Sequence, residues 1–197
     1  MSHGARTRKV VALTFDDGWN PGNTRRILGI LQRAHVSATF FPVGRAIIDY
    51  PGVWKAVVNA GFGVGDHTYD HSDLRGLCYQ RQLAELTRQA SIVRSKLGVA
   101  ALPFMRPPYG SYSRVTQLAA SAAHERYVVL WDVDTLDWTG LSGDEITARA
   151  LSGGRGSIVL MHTFPPNTTA ALPAIIAGYR ARGYRFVTVG QLLGGSR

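Results

Sequence analysis

A chain of 197 residues with 45% hydrophobic content can bury one core and is marginal for two, so a single globular domain is expected. No apolar run reaches the length of a membrane span, and Met1 to Lys9 lacks the apolar stretch of a secretory signal; the protein is therefore cytoplasmic, or exported with its signal absent from this chain. The net charge of +9 suits an anionic partner or surface, cell-wall polymers included, yet the arginines are dispersed and no basic run is interleaved with aromatics, which argues against nucleic acid.

In chain order, residues 1–8 read as disordered and residues 9–197 as one domain. Val10 to Phe15 is a buried strand, and Asn23 can cap a helix running to His35. Further strands are expected at Thr39 to Val43, Phe62 to Gly65, Phe104 to Arg106, Tyr127 to Val133, Ser157 to Met161 and Phe186 to Val189. Between Tyr79 and Leu97 the residues Leu83, Leu86, Ala90, Val93 and Leu97 recur at steps of three and four, and Gly98 follows as a stop. A second helix spans Thr169 to Arg182, with Pro173 tolerated near its first turn. The lone Cys78 cannot form an internal disulfide and is expected to be a buried small residue. Seven strands alternating with helices imply a parallel α/β fold, closed as a barrel so that the loops at one face converge, with an open doubly wound sheet as the alternative. Gly153-Gly154-Arg155-Gly156 does not match a phosphate-cradling loop, so nucleotide chemistry is not indicated.

Five polar segments stand where strands are expected to end: Thr14 to Gly18, His67 to His71, Arg106 to Gly110, Asp137-Trp138 and Leu160 to His162. Asp16-Asp17-Gly18 alone could be a turn, but two adjacent carboxylates can also divide metal ligation from proton transfer. His67 and His71, four apart, would share one side of a helical turn, a spacing that suits a common metal. Thr68 stands where a zinc-protease helix carries Glu, so a base must come from elsewhere, and Asp16 is the candidate. Arg106 before Pro107-Pro108 could be a surface residue at a rigid turn. Asp137 could cap a helix, and His162 could be a satisfied core histidine. His3, His35 and His124 fall at the terminus or at helix ends, while Trp19, Trp54 and Trp131 serve packing or sugar stacking.

Taken together and in this order, the five segments resemble the motifs of the polysaccharide deacetylase family, carbohydrate esterase family 4, across residues 9 to 193. The resemblance implies a distorted (β/α)7 barrel that binds a divalent metal, zinc foremost, with cobalt or nickel as alternatives. It makes Asp17, His67 and His71 the metal ligands, Asp16 the base, Arg106 the partner of Asp16, and His162 the acid with Asp137 as its orienting partner. The backbone N–H of Tyr109 becomes an oxyanion donor, and Trp138, Leu160 and Tyr109 wall the pocket for the acetyl group. Two departures stand out: Asp66 precedes the first His where Asn is common, and Trp19 follows Gly18 where Pro is usual. Thr163 replaces an Asp often found after the last His, and the run Met161 to Thr168 resembles the branch holding acetylxylan esterases and chitooligosaccharide deacetylases.

The activity implied is removal of acetyl groups from N-acetylglucosamine-containing polysaccharide, chitin oligomers or peptidoglycan. The alternatives are an acetylxylan esterase, an amidase acting on a small molecule, and a carbohydrate-binding domain without turnover. The implied setting is extracellular or cell-wall associated, as a monomer without membrane insertion.

Overall fold

The computed structural model describes residues 1–194. In chain order its elements are β1 (Val10–Asp17), α1 (Pro21–Arg33), β2 (Ala38–Pro42), α2 (Gly44–Asp49), α3 (Pro51–Asn59), β3 (Gly63–Val64), α4 (Tyr79–Ile92), β4 (Phe104–Met105), α5 (Arg114–Ala122), β5 (Tyr127–Val128), β6 (Val133–Asp134), α6 (Gly143–Ala150), β7 (Ser157–His162), α7 (Pro166–Ala181), β8 (Arg185–Phe186) and α8 (Val189–Leu192). This is the α/β alternation expected. The described chain divides into two compact units, one of Met1 with Phe40–Leu130, the other of Ser2–Thr39 with residues 131–194. The division follows the backbone pairing, because the longest strand ladder knits the two ends of the sequence together.

That ladder belongs to the second unit. All eight residues of β1 are buried, and β1 runs parallel to β7 from Val11↔Ser157 through Asp16↔His162. On its other side Val10 and Val11 pair with β8, and β6 continues the sheet beyond β7. Fully burying a Leu or Phe stabilises by about 1.5–3 kcal/mol, so Val11, Leu13 and Phe15 make β1 the spine of this unit. Residues 1–8, expected to be disordered, make defined contacts: His3 bridges Ser157, Gly4 N–H donates to Gly156 O at 2.8 Å, and Arg6 pairs with Asp132 at 2.7 Å.

The first unit packs around α4. Leu86 of α4 meets Leu74, Met105, Ala119 and Ala120 in a buried cluster, and Phe40 meets Trp54 and Phe62 edge-on at 6.1 and 5.7 Å. The helix ends as expected, passing through a π-helical turn at Val93–Leu97 to Gly98 in the left-handed region at φ 75°. A Cβ on Gly65 would lie 2.6 Å from Phe41 and 2.9 Å from Phe104 O, so only glycine permits the approach that lets Asp66 bridge Met105.

Four expectations are corrected. The strand read as Tyr127 to Val133 is two short strands, giving eight in place of seven among the described residues: Val129 N–H bonds Met105 O, whereas Asp132 turns to serve Ile158 and Ser157. The strand read as Phe186 to Val189 stops at Phe186, because Thr188 and Gln191 form a reciprocal capping box that opens α8. Helix α7 starts three residues earlier than expected, at Pro166, whose ring presets the first helical φ; Pro173 therefore lies inside the helix, beyond its first turn. Cys78 is exposed, not buried, because it is the N-cap position of α4. Among the described residues no helix is long and apolar enough to cross a membrane.

Candidate metal centre and active site

In the unit built on β1, three of the expected segments meet at strand ends. Asp16 lies in register with His162 across the β1–β7 ladder. Beyond it the backbone leaves the extended conformation, with Asp17 at φ 79° and Gly18 at φ 114°, so the two adjacent aspartates do not simply alternate as they would along a regular strand. Thr163 anchors this end, donating both its N–H and its Oγ1–H to Asp16 O at 3.1 Å. Asp137 and Trp138 sit in a 3₁₀ turn, Asp137–Thr139, bounded by left-handed Leu136 and Gly140. Trp138 is 55% exposed, while Leu160 is almost wholly buried.

His162 and Asp137 form the most fully built pair. The buried Asp137 accepts the His162 N–H through Oδ2 and pairs with Nδ1 of the ring through Oδ1, both at 2.7 Å. A carboxylate cannot donate, so Nδ1 carries the proton and Nε2 is the nitrogen that exchanges one. Burial opposes the imidazolium, but the Asp137 hydrogen bond and charge, helped by Asp16 and Asp17, lift the His162 pKa from 6.5 to about 9. Thr168 supplies a support that the sequence did not mark, donating its hydroxyl to Asp137 Oδ2 at 2.5 Å.

In the unit around α4, the His67–His71 stretch is a loop with Thr68 at φ 65° and His71 at φ 68°. The helical turn expected from the four-residue spacing is absent: Thr68 Oγ1 instead accepts His71 N–H at 3.0 Å, and the two rings lie 4.9 Å apart. His67 Nδ1 contacts Arg106 O at 2.7 Å. A carbonyl only accepts, so this nitrogen is protonated and Nε2 bears the lone pair, the usual arrangement for a ligating histidine. His71 Nδ1 lies 3.2 Å from the Tyr109 hydroxyl. Arg106 is fully buried, not a surface residue; its guanidinium donates to Val129 O and Leu130 O and stacks on Phe41 at 4.4 Å. Tyr109 is 71% exposed, in a 3₁₀ turn at φ 61°.

Asp66, the departure before the first histidine, is wholly buried and accepts Thr68 N–H at 2.7 Å. Burial, then the Glu125 carboxylate, push its carboxyl well above the ordinary carboxylate range.

Among the described residues, Asp17 in the unit built on β1 and His67 with His71 in the unit around α4 offer one carboxylate and two imidazoles as candidate metal ligands. One carboxylate and two neutral imidazoles are the donors of three-ligand hydrolytic zinc sites. The donor chemistry and the Nδ1 contact of His67 fit such an ion.

The profile of the polysaccharide deacetylase family matches residues 3–128. The chain belongs to that family, carbohydrate esterase family 4. It is 35% identical over 191 residues to the peptidoglycan-N-acetylglucosamine deacetylase PgdA of Listeria monocytogenes, covering 96% of this chain but only 40% of that protein. It is 34% identical over 198 residues to the chitooligosaccharide deacetylase of a Bradyrhizobium species, covering 92% of this chain and 90% of that one. A solved peptidoglycan N-acetylglucosamine deacetylase bound to a substituted N-hydroxybenzamide superposes with a TM-score of 0.93 at 32% identity, over 99% of this chain and 92% of that one. The fold is accordingly the family's distorted (β/α)7 barrel.

Proposed function

We propose that this chain is a metal-dependent hydrolase that removes the acetyl group of N-acetylglucosamine units in a polysaccharide, peptidoglycan or a chitin oligomer. The His162–Asp137 pair carries the reading. Amide cleavage needs an acid that is still protonated at neutral pH to release the amine, and an imidazole with a pKa of about 9 meets that need. Similarity to a peptidoglycan deacetylase and a chitooligosaccharide deacetylase along most of this chain supports the substrate class.

Asp17, His67 and His71 would hold the ion, zinc foremost with cobalt or nickel as alternatives. When bound, a divalent ion supplies Lewis acidity that polarises the acetyl carbonyl and eases deprotonation of water. Asp16 takes the proton from the attacking water, and Arg106 is assigned as its partner. The Tyr109 amide is assigned to the oxyanion as the tetrahedral carbon forms. His162 Nε2 then gives its proton to the glucosamine nitrogen, the C–N bond breaks, and acetate leaves. Trp138 and Tyr109, both exposed, are assigned to face the sugar, and Leu160 to stand behind the acetyl methyl.

An acetylated wall polymer as substrate places the protein outside the cell or at the wall, and we assign it as a monomer. Acetate release from peptidoglycan, chitin oligomers and acetylated xylan tests the reading. Release from the two glucosamine polymers is expected, and release from xylan alone would make it an esterase.

A further inference from the structure

The loop from His67 to His71 holds two left-handed residues and no helical bonds of its own, so its shape depends on what grips it. Two elements do. From α2, Gly44 N–H and Arg45 N–H donate to Thr68 O and Tyr69 O at 3.0 and 2.9 Å. From α4, a single carboxylate oxygen, Glu85 Oε2, accepts both Tyr69 N–H and Asp70 N–H, at 3.0 and 3.1 Å. Arg88, three residues along the same helix face, lays its guanidinium over the Tyr69 ring at 3.5 Å. Helix α4 thus holds the middle of the loop by backbone and by side chain, while His67 and His71 stand at its two ends.

We propose that Glu85 is a positioning residue for the metal centre: by accepting the two amides between His67 and His71 it fixes the separation of the imidazoles and so sets the affinity for a divalent ion. The inference rests on the reading of those histidines as ligands. Groups that orient ligands are commonly worth about 10- to 100-fold in metal affinity. The Asp70 bond lies at the solvent-exposed edge of the loop, so water can replace Glu85 there at little expense to folding. The loss should therefore appear in metal binding before it appears in stability. The acceptor, not the charge, is what the geometry requires, and glutamine keeps an oxygen at the same place.

The test is zinc titration of metal-stripped protein against a chromophoric chelator, with thermal unfolding of the metal-free forms alongside. Glu85→Ala should weaken zinc binding by about tenfold or more, with a metal-free melting curve close to the parent's, and Glu85→Gln should restore affinity to within about threefold of the parent. Parental affinity in Glu85→Ala, or an equal loss in Glu85→Gln, overturns the proposal. If Glu85→Ala does not fold, Glu85→Asp, one carbon shorter, takes its place, and unchanged zinc affinity in that variant overturns it too. His67→Ala separates the two readings: it should abolish tight zinc binding, and if it does not, the metal centre itself has been wrongly assigned.

Discussion

Asp137 holds His162 at two points, accepting the backbone N–H through one carboxylate oxygen and pairing with ring Nδ1 through the other, each at 2.7 Å. The ring is thereby fixed in both orientation and tautomer. Its pKa, raised from 6.5 to about 9, has a consequence for stability. A raised folded-state value means that the imidazolium stabilises the fold fully below pH 6.5 and that this contribution, roughly 3 kcal/mol, is lost as pH rises through about 9.

Asp137→Asn should therefore lower the His162 pKa by one to two units, as read by NMR titration of the ring, and remove most of that alkaline-labile stability. The alkaline limb of the pH–rate profile should move down with it. Because Asp16 and Asp17 contribute to the raised value, a bound cation near Asp17 should offset part of it. The limb measured with metal present should then lie below the ring titration of the metal-free protein. Identical ring titrations in parent and Asp137→Asn would show that Asp137 does not set the charge on His162.

Removing the Thr168 hydroxyl tests the support behind this pair. Thr168→Val keeps the volume but withdraws the donor from a buried carboxylate, a change that costs about 1.5–3 kcal/mol for a bond to a charged group. Urea unfolding should show a loss of this order, and turnover should fall while KM stays near the parent value. A silent variant would mean that Asp137 is adequately held by His162 alone.

How far the sequence revealed this arrangement depends on the kind of signal. Strands β1 and β7 were legible as continuous apolar runs buried on both faces, and helix α4 as an apolar periodicity that names one buried face. Tyr127 to Val133 misled because an unbroken strand-like run serves two different neighbours in turn, and composition does not show where it changes partner. The candidate site residues were legible as an ordered set, since Asp16, Asp17, His67, His71, Arg106, Asp137 and His162 each follow a recognisable segment. The conformation of the histidine loop was not, because a spacing of four fits a helical turn and a left-handed loop equally. Thr168 and Glu85 left no mark either: one is a threonine in a helix's first turn, the other an acid on an amphipathic helix, and only their hydrogen bonds distinguish them.

Gly44 offers a test of the loop from its other side. A Cβ there would lie 3.1 Å from Tyr69 Cδ2, 3.2 Å from Tyr69 Cα and 3.3 Å from Ile92 Cδ1. The second of these neighbours is backbone and cannot rotate away. Gly44→Ala should cost about 1–3 kcal/mol in unfolding experiments and weaken divalent-ion binding together with it. Parental stability and parental zinc affinity would mean that the loop yields without disturbing the histidines.

Removal of the ion bears directly on the ligand set. Chelation should abolish turnover, and zinc or cobalt should restore it in the parent but not in Asp17→Ala. Elemental analysis should find close to one ion per chain in the active protein. Full activity in protein shown to be metal-free would refute the centre of Asp17, His67 and His71.

The proposed division of labour between Asp16 and His162 makes the last prediction, because a base and an acid matter unequally for two kinds of leaving group. Both amide and ester cleavage need a proton taken from water, so Asp16→Asn should depress both by about 10²-fold or more while leaving metal content unchanged. A departing amine is a poor leaving group unless it is protonated, whereas a sugar alkoxide needs less help. His162→Ala should consequently reduce acetate release from a chitin oligomer by at least about tenfold more than release from an O-acetylated sugar. It should also remove the alkaline descending limb for the amide substrate, since the group whose deprotonation causes that limb is gone. Equal losses on amide and ester would show that His162 acts on a step common to both, such as holding the tetrahedral oxygen, and not as the acid for the amine.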